Sequence, residues 1–553
     1  MFKSFCWSTS GQGPSGTLFL RSIPAILAAI LSGLLLSVPF RTFDISFPAW
    51  FSLAPLFWLV ARVPSRRLAT ACSCAFCLAW TGASFSFLIH LTAVGATALC
   101  IYTSMYYVAA CLLIRPLARR GVMNAVFGTA ALWALAELLR ASVPVFGFPW
   151  LLLGHAMIND EHLRQGADIL GVSGLSFIIV SVNAALAFAL PAWLPQPCQP
   201  FTPKSAWKTM SLVGALLLGN VAYGKMRLDE LLPRLQAGPP ISVIQGNVAE
   251  KLDRTDAQLR WQLTRHLELH KMALAQTRGS TELSNDLNQS GQTTGEAPVL
   301  VCWAETMVPG AWDGDEWGVK FKMETARQHV PVLAGANYTA SSGTGARSED
   351  LCCYNTAFLL DGEGRELLQY HKRRLVPFGE YIPFKNWIPF LDSLRSVTRD
   401  QYTPGTQPSP VLAIAGYQIS VNLCIEDIHP EIAREAADAG ADAMINLTND
   451  GWFYGTFGAR AHLQSAAWRA IEVRRPMLRV TNTGLTTSID PVGRITVLLP
   501  EETEGIAIAR LIRIAPSPVV TSSRTLAMVL GEFGAAAIFL AVLCYCLLTV
   551  SND

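Results

Sequence analysis

Charge is scarce in this chain. Only 15% of its 553 residues are Asp, Glu, Lys or Arg, against about 25% in an ordinary soluble domain, and the mean hydropathy is +0.32. A chain so poor in charge cannot keep all of its surface in water, so part of it lies in lipid. The 43 basic residues nearly balance the 41 acidic ones, which excludes a polyanion-binding surface and leaves no nucleic-acid partner to expect. Cysteine is too sparse, at 13, for a disulfide-dense scaffold, and Cys72, Cys74, Cys77, Cys100, Cys111, Cys544 and Cys546 sit in apolar runs where they read as packing residues. The Cys-x-Cys-x-x-Cys spacing at 72–77 overlaps the apolar stretch AFCLAW, so no metal is expected there. Internal repeats, a GxGxxG fingerprint and a phosphate loop are also missing, which argues against a nucleotide cofactor.

What is abundant is apolar sequence. Long apolar runs cover 22–40, 46–61, 68–89, 96–114, 122–142, 170–191 and 208–224, and another covers 526–549. Most approach the roughly 20 residues that cross a bilayer core. The run at 46–61 is short and carries Pro48 and Pro55, so a broken or half-crossing helix is expected there. Further runs follow the first at once without a small-x-small cleavage site, so it is not a cleavable signal peptide. About eight membrane helices result. Basic residues cluster in alternate connections, at Arg62, Arg66 and Arg67, at Arg115, Arg119 and Arg120, and at Lys204 and Lys208; the opposite ones hold Arg41 and Arg164. The positive-inside rule then places both termini in the cytoplasm and the long segment after residue 224 outside. This divides the chain into a membrane domain at 1–224, an external domain at 225–515 and a final transmembrane helix at 524–550.

One connection differs. After Arg140 the chain reads RASVPVFGFPWLLLG, and Phe146, Phe148 and Trp150 suit either an interfacial anchor or the lining of a lipid-accessible mouth. Just before it, Glu137 and Arg140 are three apart on a helix and can pair, because ionisable groups near lipid need partners.

The external segment alternates strands and helices. Strands are expected at PPISVIQGN, VLVCWAE, VPVLAGANY, CCYNTAFLL, ELLQYH, VLAIAGYQISVNL, ADAMINLTN, PMLRVTN and GRITVLL, with helices at 255–276, from the 427–430 region to Gly440, and at 459–474. That order predicts an α/β layered domain. The segments 278–298 and 340–350 are polar and glycine-rich, and read as exposed loops.

Three residues at strand ends suggest chemistry. Glu305 closes VLVCWAE, Lys372 follows ELLQYH, and Cys424 ends QISVNL before an acidic helix. A carboxylate, a lysine and a cysteine at the carboxyl ends of neighbouring strands can converge at one edge of a sheet, where α/β folds hold their sites. Taken alone, each has a bland reading as a rim or packing residue.

The three together resemble the nitrilase, or carbon-nitrogen hydrolase, superfamily. With the membrane region included, the chain is similar from end to end to the apolipoprotein N-acyltransferase family. The matching stretches are WAET at Glu305, YHKRRLVPFGEYIP at Lys372, NLCIED at Cys424, NLTNDGWF at 446–453, RPMLRVTNTGLTTSIDPVGR at 475–494, FGFPWLLLG at 146–154, and Trp133, Glu137 and Arg140. There are departures: Ala304 stands where the family commonly has proline, Ile425 where it has tyrosine, and VAEKLDRTD follows Asn247 where it has a proline, a glutamine and a Lys-Trp pair. The resemblance implies a nitrilase-like α-β-β-α sandwich on the periplasmic side of a bacterial inner membrane, carried by the multi-span helical domain.

It also implies a Glu305, Lys372 and Cys424 triad that moves an acyl chain from a phospholipid, through a cysteine thioester, to the N-terminal amine of a diacylglyceryl-modified apolipoprotein. No cofactor is implied, and the partners are these two substrates and membrane lipids around a monomer. Glu305 would take the thiol proton and Lys372 would lower the thiol pKa and face the oxyanion. Glu380 and Glu426 would order the lysine and the cysteine loop, and Trp452, Phe453 and Tyr454 would help exclude water. Two alternatives stand beside this reading. A membrane-anchored amidase would use the same triad with water as acceptor and has little need of so large a membrane domain. A transporter or scaffold predicts polar residues recurring within several spans, and apart from Glu137 they are scarce.

Overall fold

A computed structural model describes residues 15–143, 146–190, 202–249, 255–279, 296–313, 315–341, 351–384, 387, 402–515 and 524–549. The chain separates into two units, Met1–Lys225 with Leu530–Asp553, and Met226–Val529.

The first unit is helical. Among the described residues, five helical stretches are long and apolar enough to cross a membrane: Ser22–Thr42, Ala93–Ala118, Val122–Ser142, Leu163–Phe188 and Leu526–Leu548. The bundle of about eight helices is as expected, and these five are the ones that meet both criteria. The run at 46–61 forms a short turn, Phe47–Trp50, and a nine-residue helix, Ala54–Arg62, because Pro48 and Pro55 interrupt it; at 1.5 Å per residue nine residues reach less than half of the core. The helix Arg66–Ser84 carries Thr70, Ser73, Thr81 and Ser84 besides its two leading arginines. Pro203–Leu231 is long, but it begins with Lys204 and Lys208 and ends with Lys225, Arg227, Asp229 and Glu230. In Val122–Ser142 buried residues occur all round the helix, the mark of a helix surrounded by others.

The second unit is built on two sheets. One has the order Gly505–Ile514, Leu235–Gln245, Leu300–Trp303, Val332–Ser341, Leu351–Leu360 and Glu366–His371, with the short strand Val308–Ala311 also on Val332–Ser341. The other runs Ile495–Leu499, Thr486–Ile489, Met477–Thr481, Ala443–Thr448, Tyr417–Leu423 and Val411–Ile414. In each sheet the central strands are parallel, at Leu235–Gln245 with Leu300–Trp303 and at Tyr417–Leu423 with Ala443–Thr448 and Met477–Thr481. Strands buried on both faces read as continuous apolar runs, which is why VLVCW and AMINL lack alternation. Ile241, Val243, Leu300 and Leu333 of the first sheet pack with Val421, Leu423, Ile445 and Val480 of the second in one core. On the outer face of the first sheet, Trp303, Phe358 and Val332 pack with Leu263 and Leu267 of helix Asp256–Gly279 and Phe321 of helix Glu316–Ala326. The result is the α-β-β-α sandwich.

Several local readings change. VLAIAGYQISVNL is a hairpin of two strands, because Ala415 and Gly416 take positive φ of 47° and 81° and reverse the chain. The strands Val308–Ala311, Thr486–Ile489 and Gly505–Ile514 and the helix Glu316–Ala326 are additional to the expected set. Strand Tyr417–Leu423 stops one residue before Cys424, and Leu300–Trp303 stops two before Glu305. The segments 280–295 and 342–350, which hold most of the two polar stretches, lie outside the described residues, as do 250–254 of the divergent VAEKLDRTD segment.

Candidate active site

Glu305, Lys372 and Cys424 each leave the carboxyl end of a strand, and the two sheets bring those ends together. Lys372 is 1% exposed. Its Nζ donates to Glu305 Oε1 at 2.9 Å and to Glu380 Oε1 at 2.8 Å. Asn355, on the strand beside Lys372, donates from Nδ2 to the same two oxygens at 2.7 and 3.2 Å. The second oxygen of Glu305 accepts the Asn449 backbone N–H at 2.9 Å, and that of Glu380 accepts Val376 N–H at 2.8 Å. Both carboxylates are thus aimed by fixed donors, which a buried charge requires.

The backbone around Glu305 is tight. Thr306 adopts φ 54°, which a β-branched residue rarely does. A Cβ at Gly335 would stand 2.6 Å from Thr306 N and 2.7 Å from Glu305 Cα, so the neighbouring strand leaves room for this turn only because residue 335 has no side chain.

Cys424 also has a positive φ, 48°. The strand breaks there into the turn Cys424–Ile428, and left-handed geometry at a non-glycine residue marks a corner held by its surroundings. Glu426 does much of the holding. One of its oxygens accepts Leu423 N–H at 2.8 Å, and the other accepts Arg373 N–H at 2.7 Å and Arg374 N–H at 3.2 Å. Tyr370 OH bridges both at 2.9 and 3.0 Å. One carboxylate therefore ties the residue before the cysteine to the two residues after the lysine. Asn446 Nδ2 adds a bond to Cys424 O at 2.9 Å.

The charges of Glu305 and Lys372 both act on the Cys424 thiol. Burial and then the Glu305 carboxylate push its pKa well above the ordinary thiol value, and the Lys372 ammonium opposes them without prevailing. Lys372 thus lowers the thiol pKa as expected, but not enough to offset burial and Glu305, so the thiol keeps its proton at neutral pH. Burial works against the Lys372 ammonium, but Cys424, Glu305 and Glu380 outweigh it and hold the lysine well above its usual range. Burial raises Glu426, against the pull of its backbone donors.

The other expected residues are placed differently. Trp452 and Phe453 are half-buried in a short turn, Asp450–Phe453, and Tyr454 is 59% exposed. Phe146, Phe148, Trp150, Glu137 and Arg140 belong to the first unit. There Phe148 packs on Phe85 and Trp150 at ring distances of 5.6 and 5.9 Å, Trp150 packs on Phe87 at 5.4 Å, and Phe146 O accepts Tyr102 OH. Glu137 Oε1 accepts Trp133 Nε1 and Leu153 N–H, and Arg140 donates to Trp150 O, so both also reach the connection that follows the helix. Residues that sequence reasoning passed over are Asn355, Asn449, Tyr370 and Asn482, which donates from Nδ2 to Asn449 Oδ1 at 2.9 Å. Asn449 and Asn482 lie in the stretches NLTNDGWF and RVTN, so the signal was present without a role attached.

Chemically this is a thiol beside a carboxylate and an ammonium on the two-sheet frame of the nitrilase-type carbon-nitrogen hydrolases, and residues 257–513 match the carbon-nitrogen hydrolase family. Residues 32–185 match the apolipoprotein N-acyltransferase N-terminal domain. The apolipoprotein N-acyltransferase of Geobacter metallireducens is 30% identical over 484 residues, covering 86% of this chain and 87% of its own. That of Bordetella bronchiseptica is 30% identical over 544 residues, covering 90% and 92%. Among solved structures, an amidase from Nesterenkonia sp. covers 50% of this chain and 90% of its own at 19% identity with a TM-score of 0.34, too low to add to the assignment. The chain belongs to the apolipoprotein N-acyltransferase family. It is a multi-pass inner-membrane enzyme whose nitrilase-like catalytic domain is periplasmic.

Proposed function

We propose that Cys424 is the acyl-accepting nucleophile, Glu305 its base, and Lys372 the cation that faces the developing oxyanion, in transfer from a phospholipid ester to the N-terminal amine of a diacylglyceryl-cysteine lipoprotein. The observation that supports this most is the ammonium of Lys372, 2.9 Å from Glu305 Oε1, in a buried site whose charges both act on Cys424.

Because the resting thiol is protonated, attack requires Glu305 to take the proton as the sulfur bonds to the ester carbonyl carbon. Thiol and carboxylate differ by about four pKa units in water, so the transfer must be concerted with carbon–sulfur bond formation and helped by the nearby ammonium. Lys372 then donates to the carbonyl oxygen as it becomes negative. Such a donor acts in the transition state, and removing one typically costs about 3 kcal/mol. The carbon–oxygen ester bond breaks, Glu305 returns its proton to the departing lyso-phospholipid, and a thioester remains on Cys424.

In the second half the lipoprotein amine attacks that thioester. Its pKa is about 8, so a useful fraction is neutral at neutral pH. Glu305 accepts the amine proton and passes it to the Cys424 sulfur as the amide forms. Glu380 and Glu426 are positioning residues, the first through Lys372 and the second through the Cys424 corner. Trp452, Phe453 and Tyr454 supply apolar cover that disfavours water as the competing acceptor.

Mass spectrometry of the full chain after incubation with phospholipid tests the scheme. A fatty-acyl increment on the peptide containing Cys424 is expected, absent in Cys424→Ala, and released as an amide when a diacylglyceryl-cysteine peptide is added. Release only as free fatty acid would make the enzyme a hydrolase, and no increment at any time would refute the thioester route.

A further inference from the structure

Behind the Cys424 corner lies a second cluster of buried charge that the acyl-transfer scheme does not use. His462, on helix Gly458–Val473, is 1% exposed, and each of its ring nitrogens faces a different carboxylate. Nε2 lies 2.9 Å from Asp427 Oδ1, and Nδ1 lies 2.8 Å from Asp450 Oδ1. Arg479, on strand Met477–Thr481, donates from Nε to Asp427 Oδ2 at 2.7 Å and approaches Asp450 Oδ2 at 3.7 Å. Phe453 packs edge-on against the imidazole at 6.4 Å between ring centres.

The two carboxylates decide the state of the ring. A neutral imidazole has one N–H, so one nitrogen would present a lone pair to a carboxylate oxygen; two short contacts to carboxylates require two donors, which only the imidazolium has. Protonation also balances the cluster, two negative charges against two positive ones, in a place without water to screen an excess. One contact argues the other way, because an Arg479 terminal nitrogen stands 3.1 Å from His462 Nδ1 and would want a lone pair there. The Asp450 oxygen is closer to that nitrogen, and it takes the hydrogen. Burial and the Arg479 charge oppose protonation, but Asp427 and Asp450 outweigh them and raise the His462 pKa to about 9.

The position of those carboxylates gives the cluster its meaning. Asp427 lies in the same turn as Cys424, Cys424–Ile428. Asp450 follows Asn449, whose N–H holds Glu305 Oε2. We propose that His462 is a positioning residue for acylation: a buried imidazolium that clamps the Cys424 turn to the Asn449–Asp450 loop and thereby sets the spacing between the thiol and Glu305. The proposal rests on the reading of Cys424 as nucleophile and Glu305 as base. The charged groups that face the imidazole include Asp427 from the cysteine turn, Asp450 from the adjoining loop and Arg479 from the neighbouring strand. The Cys424 thiol is coupled to the same cluster, since Asp450 acts on it and it acts on Arg479.

The test is the rate at which the detergent-solubilised full chain forms acyl-Cys424 from phosphatidylethanolamine vesicles or micelles, followed by quenched mass spectrometry from neutral to strongly alkaline pH. Wild-type enzyme should lose activity in a step near pH 9, where the imidazolium gives up its proton. His462→Gln should be slowed roughly a hundredfold at neutral pH, the cost typical of a small misplacement of reacting groups, and should lack the step. Asp427→Asn, which removes one of the two charges holding the proton, should move the step to lower pH. A His462→Gln enzyme as fast as wild type, or one that keeps the step, would overturn the proposal. If that variant does not fold, an unmoved step in Asp427→Asn overturns it instead. Histidine ring NMR on the same protein separates the two readings: a neutral His462 at neutral pH refutes the clamp even where Cys424 is acylated, whereas an imidazolium in a protein that never acylates Cys424 refutes the thioester scheme alone.

Discussion

Replacing Glu426 with glutamine is the most discriminating single perturbation of this site, because it changes one atom and nothing of the shape. Both carboxylate oxygens accept backbone N–H groups, Leu423 on one and Arg373 with Arg374 on the other, and Tyr370 OH touches both. A glutamine has one acceptor oxygen, so in either orientation its NH2 confronts a backbone N–H. If the oxygen keeps Arg373 and Arg374, Leu423 N–H is left buried without a partner; if it keeps Leu423, the other two are left. Hydrogen bonds to a charged group are worth about 1.5–3 kcal/mol, and an orphaned buried donor costs about 1–3 kcal/mol. The cheaper orientation therefore destabilises by roughly 2–4 kcal/mol, a fall in Tm of about 5–10 °C for a domain of this size. The same bond holds the residue before Cys424, so the nucleophile moves. Acyl-Cys424 formation should fall about a hundredfold, in kcat and not in KM, because no substrate contact is lost. A Glu426→Gln enzyme that melts within about a degree of wild type, or acylates within about threefold of it, would show that this carboxylate does not tie the two loops.

Four further outcomes follow from the same geometry. Gly335→Ala should destabilise by about 1–3 kcal/mol, the usual cost of overpacking, and slow acylation, because the new Cβ meets Thr306 N at 2.6 Å and Glu305 Cα at 2.7 Å; an unchanged Tm and rate would contradict the close approach. Asn355→Leu removes a neutral donor shared by Glu305 and Glu380, and should slow acylation while Lys372 still bridges the carboxylates; a wild-type rate would show that Lys372 alone aims them. Lys372→Met should cost on the order of a hundredfold in acylation and also destabilise by about 3–5 kcal/mol, since it leaves two buried carboxylates without their cation; a stable, active variant would refute the site. Finally, His462 is raised from its unfolded value near 6.5 to about 9, so its proton contributes stability that is full below pH 6.5 and is lost as pH rises through 9. Thermal melts of wild type should decline over that interval and those of His462→Gln should not.

Much of the fold of the catalytic unit is legible in the sequence alone. The strands VLVCW, QISVNL and AMINL are apolar, short and bounded by polar or turn residues, and each appears where expected. The helices over 255–276 and 459–474 match Asp256–Gly279 and Gly458–Val473. Errors came where a local signal was too weak or too long. Thr486–Ile489, TTSI, has little apolar character, and its burial comes from a sheet that long-range pairing builds. Gly505–Ile514, GIAIARLIRI, carries a strand-like run of isoleucines that was passed over, and its pairing with Leu235–Gln245, distant in the chain, is what no local stretch encodes. VLAIAGYQISVNL looked continuous because only positive φ at Ala415 and Gly416 divides it. In the first unit, composition alone did not show which apolar runs form long unbroken helices: the run at 46–61 is divided where Pro48 and Pro55 fall.

By itself the sequence determined the membrane character of the first region and the layered α/β frame, and it singled out Glu305, Lys372 and Cys424, the residues proposed to carry the chemistry. These are properties of residue type, spacing and hydropathy, which act over one strand or one helix. Tertiary structure decided the rest: that Asn355 and the Asn449 N–H aim Glu305, that one carboxylate at Glu426 joins two loops, that burial leaves the Cys424 thiol protonated, and that His462 stands between Asp427 and Asp450. Each of those depends on atoms far apart in the chain and on exclusion of water from a shared interior, and neither distance nor dielectric is written in any local stretch of residues.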